Sequence, residues 1–175
     1  IVGSGPDALL CRYKAGRRKL SRRDQLTLEF AGIYRHYHAA LMRTVIIGKP
    51  SKAHEKMDEA CRAPLAACEK ALRPGNEAGD VFDAHARLMD EHGMKAHRYN
   101  ACGYALGAKF TPSWMDYPMF FTGNKTKLAP NQVFFLHMIL MDIDCGHAFS
   151  LGRTYIIGHA RLEPLSKYPL GMILR

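Results

Sequence analysis

The hydrophobic period of this chain changes twice, and the order of those changes restricts the folds open to it more than any other feature. From Gln25 to Gly32 (QLTLEFAG), Leu26, Leu28 and Phe30 alternate with Thr27, Glu29 and Ala31. Such alternation marks a strand with one greasy face, and Gly32 predicts a turn after it. Tyr34 to Ile47 continues as a second extended segment, rich in aromatic and β-branched residues, and stops at Gly48-Lys49-Pro50. Together the two predict a long hairpin. The period then becomes helical. Met57, Cys61, Leu65, Cys68 and Leu72 form one stripe within about Lys52 to Leu72, and Pro64 predicts a kink or division there. Arg73-Pro74-Gly75-Asn76 breaks the chain, with Asn76 as a candidate cap, before a second helix carrying Val81, Phe82, His85, Leu88 and Met89 to Gly93. From Gly93 on the pattern returns to strands and loops, with a central strand at Val133 to Met141 and another at Leu151 to Ile157. Strands, two helices, then strands, without βαβ alternation, define an α+β chain and not a doubly wound nucleotide fold.

Composition narrows the function classes. With 175 residues, 47% hydrophobic and 23% charged, the chain can bury one real core and is neither disordered nor fibrous. Its longest apolar run, Val133 to Met141, is interrupted by His137 and is less than half a membrane span, so no membrane partner is expected. No signal-peptide pattern opens the chain. Five scattered cysteines without a C-x-x-C pair read as reduced thiols of a cytoplasmic protein. The formal charge of +9 is concentrated at Arg12, Lys14, Arg17, Arg18, Lys19, Arg22 and Arg23. That run holds a single aromatic, Tyr13, and no recognition motif, so it reads as a solvated or partner-facing surface and not as a nucleic-acid site.

Five segments in order carry a family likeness: Leu28-Glu29-Phe30-Ala31-Gly32 with Tyr34, Tyr37, Leu41-Met42-Arg43-Thr44 and Gly48-Lys49-Pro50; Arg73-Pro74-Gly75; Gly103-Tyr104-Ala105-Leu106-Gly107; Val133 to His137; and Leu151-Gly152-Arg153-Thr154. The chain resembles the M24 "pita-bread" enzymes, the group of creatinase, prolidase, aminopeptidase P and methionine aminopeptidase. The resemblance runs from about Gly5 to Arg175. It implies a curved antiparallel sheet with outer helices, in a single domain over 1–175. That domain would be a partial C-terminal catalytic domain, without the family's N-terminal domain and first helices. It also implies a homodimer.

The metal-dependent members hold two divalent ions with two aspartates, a histidine and two glutamates. The resemblance places those positions at Glu29, Ala40, Tyr104, His137 and Gly152. Alanine and glycine supply no side-chain ligand, and neutral tyrosine is a poor one, so no metal and no other cofactor is expected. Glu29 stands on the polar face of its strand, and His38 shares its parity with Ala40. His137 interrupts an apolar strand, where an unpaired imidazole is costly. Taken singly, Glu29 also fits a salt-bridged carboxylate and His137 a satisfied core histidine. Taken together, they fit a catalytic carboxylate–imidazole set of Glu29, His38 and His137, with Tyr104 at the rim of its cavity. Trp114, in an aromatic and proline-rich loop, reads as a pocket wall or as a loop packed on the core. Phe135 is a candidate substrate contact, although Phe120, Phe121, Phe134 and Phe135 all read more readily as core.

The implied activity is metal-independent hydrolysis of a small C–N compound, as in the ectoine-hydrolase and creatinase branch. An amidinium carbon is electrophilic enough for attack by Glu29, or by water that Glu29 activates, without a Lewis acid. A histidine would protonate the leaving nitrogen and Tyr104 would donate to the developing charge. The alternatives are Xaa-Pro peptide hydrolysis and a non-catalytic member of the fold.

Overall fold

The long hairpin is the spine of the molecule. The structure, a computed structural model, describes residues 1–11 and 13–175, so Arg12 of the basic run lies outside it. In chain order the elements are β1 (Val2–Ser4), a 3-10 helix (Gly5–Leu9), β2 (Asp24–Tyr34), β3 (Tyr37–Ile47), α1 (Lys52–Ala71) and α2 (Ala78–Glu91). Then follow β4 (Gly103–Leu106), β5 (Asp116–Met119), β6 (Val133–Asp142), β7 (His147–Ile157), β8 (Leu162–Pro164) and β9 (Ile173–Leu174). One sheet runs β1-β2-β3-β7-β6-β4-β5, with β8 on β7 and β9 on β3. All of these pairs are antiparallel except β3/β9.

Three local expectations need correction. The hairpin does not turn at Gly32, which pairs with Ala39 inside the ladder. It turns at Arg35 and His36, whose φ angles of 47° and 67° supply the twist of a two-residue hairpin loop. Pro64 does not divide α1, which runs unbroken from its cap at Ser51, and the proline is buried. The cap of α2 is Glu77 and not Asn76: the Asp80 carboxylate accepts from the Glu77 N–H at 2.8 Å, while Asn76 donates to the Ala71 carbonyl closing α1.

The sheet has two halves with different cover. Behind β6 and β7, Leu65 and Cys68 of α1 and Val81 and Met89 of α2 pack on Phe134, Leu136, Met138, Phe149 and Leu151. On the opposite face Ala40, Met42, Tyr104, Phe135, Ile139, Met141 and Ala148 form a second cluster. β6 is therefore covered on both sides, which explains its nearly continuous apolar run. Of the four phenylalanines expected in the core, Phe121 is exposed and the other three are buried. On β2 the polar side, Gln25, Thr27 and Glu29, is the buried one. Leu26 and Leu28 are half-buried and Phe30 is 54% exposed, on a face that neither helix covers.

Candidate active site

Directly opposed residues in antiparallel strands share a face, and the register draws two rows across the buried face of this sheet. In the first, Glu29 opposes Met42, Met42 opposes Gly152, and Gly152 opposes His137. In the second, Ala31 opposes Ala40, Thr154 opposes Phe135, and Phe135 opposes Tyr104. Thr154 closes the gap in the second row, its Oγ1 accepting from Ala40 N at 2.9 Å and donating to Ala40 O at 2.8 Å. All five positions singled out by the resemblance lie in these rows.

The side chains converge because the sheet curls. β2 and β4 are separated by three strands, a span of about 19 Å in a flat sheet. Yet the Tyr104 hydroxyl donates to Glu29 Oε1 at 3.3 Å. The Trp114 indole N–H in turn donates to the Tyr104 oxygen at 3.0 Å. Glu29 and Tyr104 are almost fully buried, and His137 nearly so. The His137 ring lies 5.6 Å from that of Tyr104 and 5.7 Å from that of Phe135, centroid to centroid. Tyr104 is thus the hub of the arrangement and not its rim, at 1% exposure. His38 stands at the edge, its ring 6.3 Å from Trp114. Its buried Nδ1 has no hydrogen-bond partner among the described residues. The loop before Trp114 walls a cavity of about 410 Å³ lined by residues 108–113 and Met115, but Trp114 itself turns inward to Tyr104. Beside Glu29 the space is about 10 Å³, bounded by Thr27, Met42, Ile139, Met141 and Ser150, which suits about one water molecule.

The residues present do not fit the dinuclear metal centre of the metal-dependent M24 enzymes. A Cβ at Gly152 would lie 2.5 Å from Cζ of Phe135, so the phenyl ring fills the volume where a carboxylate side chain would start. Among the described residues no group of three or more His, Cys, Asp or Glu side chains is placed to hold a metal ion.

Behind the rows, Arg43 is buried, its guanidinium 5.6 Å from the centroid of the Tyr168 ring and its fork directed at carbonyls. It donates to Met42 O at 2.6 Å, Gly152 O at 2.8 Å, Pro169 O at 3.0 Å and Tyr168 O at 3.2 Å. Two of those carbonyls belong to residues of the first row, so the guanidinium ties the backbone of the site to the C-terminal segment. Burial, reinforced by Arg153, lowers its pKa to about 10.

A second polar cluster had no motif to announce it. Gln25, Ser51, His54 and His147, from three separate segments, meet at the wall of a cavity of about 590 Å³. The Gln25 amide nitrogen donates to Gly5 O and Gly146 O, so its oxygen accepts from His54 Nε2 at 2.9 Å. His54 Nδ1 then accepts from the Ser51 hydroxyl, also at 2.9 Å. Burial, aided by the neighbouring His147, lowers the His54 pKa to about 4.

The curled sheet and its site positions define the class. Residues 1–163 match Metallopeptidase family M24, and the chain belongs to that family. It is 30% identical over 170 residues to an uncharacterized hydrolase/peptidase of Sinorhizobium fredii, covering 95% of this chain and 41% of that protein. It is 26% identical over 148 residues to the ectoine hydrolase of Halomonas elongata, covering 84% of this chain and 36% of that enzyme. The X-Pro aminopeptidase of Thermotoga maritima superposes with a TM-score of 0.91 at 19% identity, over 100% of this chain and 48% of that one. The prolidase of Pyrococcus furiosus gives 0.89 at 18% identity, over 97% and 49%. The chain spans less than half the length of each of these proteins. Among the described residues, no helix is long and apolar enough to cross a membrane.

Proposed function

We propose that this chain carries the catalytic set of a hydrolase that opens a C–N bond of a small molecule without a metal ion, in the manner of an ectoine hydrolase. The observation that carries the reading is the Trp114–Tyr104–Glu29 hydrogen-bonded chain, a buried carboxylate held by a hydroxyl where the metal-dependent relatives need ligands. Glu29 takes a proton from water, the hydroxide adds to the amidinium carbon, and the C–N bond breaks as His137 protonates the departing nitrogen. Tyr104 orients the carboxylate, and His38 and Trp114 border the approach from the loop side. Phe135, wholly buried, acts by filling the Gly152 position and so is not proposed as a substrate contact.

The working protein is proposed to be a cytoplasmic homodimer. Five scattered cysteines without a C-x-x-C pair suit that compartment. Sedimentation at micromolar concentration should show twice the chain mass, and a clean monomer would overturn the dimer.

The test is turnover of ectoine against Xaa-Pro dipeptides, with chelator and with added manganese, zinc or cobalt. Ectoine opening that survives chelator and falls by about a thousandfold in Glu29→Gln is the expected result. Metal-dependent cleavage of the dipeptides would establish the peptidase reading instead. No turnover of either would leave a non-catalytic member of the fold.

A further inference from the structure

We propose that the cavity between the start of β2, the end of β3 and the first turn of α1 is a binding site for a small organic anion, a carboxylate carried on an apolar body. Gln25, at its wall, is four residues from Glu29 on the same strand face, roughly 13 Å along the strand. It is therefore distinct from the carboxylate–tyrosine site.

Size, charge and lining all point to such a ligand. At about 590 Å³ the cavity is of the volume small-molecule sites occupy. Leu9, Ile46, Ile47 and Pro50 give it apolar walls. Its charged lining is Arg18, Arg23, Asp24 and Lys49. Arg18 and Asp24 neutralise one another at 2.6 Å. Arg23 and Lys49 have no acidic partner among the described residues, so the cavity carries a net excess of two positive charges. A carboxylate supplies what those two groups lack, and the aliphatic walls take up an apolar remainder.

The polar floor is held in one arrangement of hydrogen bonds. Because His54 Nδ1 takes the Ser51 proton, His147 Nε2 must donate to the Ser51 oxygen, at 3.3 Å. That leaves His147 Nδ1, which has no partner among the described residues.

Calorimetric titration of the chain with hexanoate, inorganic phosphate and hexylamine tests the proposal, together with imidazole NMR signals to locate binding. Hexanoate should bind in the millimolar range or tighter, phosphate more weakly and hexylamine not at all. Hexanoate should move the His54 and His147 signals and leave His137 in place. The double variant Arg23→Ala/Lys49→Ala, both exposed positions, should keep its circular dichroism and bind hexanoate about tenfold more weakly. The site is overturned if hexanoate does not bind, if the double variant binds it unchanged, or if hexylamine or phosphate binds as well as hexanoate. A shift at His137 in place of His54 and His147 would also overturn it.

Discussion

Phe135 and Gly152 are cross-strand neighbours that exclude each other's growth: the phenyl Cζ lies 2.5 Å from where a Cβ on residue 152 would sit. Restoring a carboxylate at 152 would not restore a metal ligand, because the ring already fills its volume.

Gly152→Ala should therefore destabilise the chain by about 1–3 kcal/mol through overpacking. Phe135→Leu in the same chain should recover part of that loss. Urea denaturation of the two single variants and the double variant measures the coupling. Strict additivity would show that the ring moves aside freely.

Tyr104→Phe leaves Glu29 Oε1 and the Trp114 indole N–H without the hydroxyl that joins them. A stability loss of about 1–3 kcal/mol follows from removing a hydroxyl that two buried polar groups share. Trp114 is the only tryptophan, so the indole emission comes from this side chain. The emission maximum should shift in Tyr104→Phe and stay fixed in Tyr34→Phe, a tyrosine 74% exposed.

Arg43→Lys keeps a charge but loses the fork that reaches four carbonyls from two directions. The expected cost is about 2–4 kcal/mol. Limited proteolysis should cut first near Tyr168 and Pro169, which the guanidinium holds to β3. An unchanged cleavage pattern would assign the anchoring of this segment to other contacts.

Acid should weaken the fold before the carboxylates titrate. His54 and His85 are buried, and burial lowers each from 6.5 to about 4 in the folded chain. Between those values the unfolded chain takes up protons that the folded one refuses. Their contribution is therefore complete above pH 6.5 and lost as pH falls toward 4. Thermal melting across that range should show Tm falling with pH, and His85→Leu should flatten the slope.

Strand parity made the separation of Glu29 from Leu26, Leu28 and Phe30 readable. Hydrophobicity alone would have turned the wrong side inward, because the apolar side is the one without helical cover. The orientation came from the family resemblance. The central place of Tyr104 was not readable, since it depends on curvature accumulated over β3, β7 and β6, which no local pattern encodes. The turn at Arg35 and His36 carries no glycine to announce its left-handed backbone. Gln25, His54 and His147 meet only through tertiary packing, so their shared cavity left no spacing to find.

The unequal cover of the two halves has a kinetic meaning. Glu29 belongs to the hairpin half, which neither helix backs, while Tyr104 and His137 belong to the half backed by α1 and α2. A local opening that lifts the hairpin breaks the Tyr104–Glu29 bond without melting the helix-backed core. Amide hydrogens of Asp24–Tyr34 should then exchange faster than those of Val133–Asp142. A molecule bound between Glu29 and His137 would slow the hairpin's exchange, because it spans both cooperative units. The Tyr104–Glu29 bond is thus the joint between two units of unequal stability.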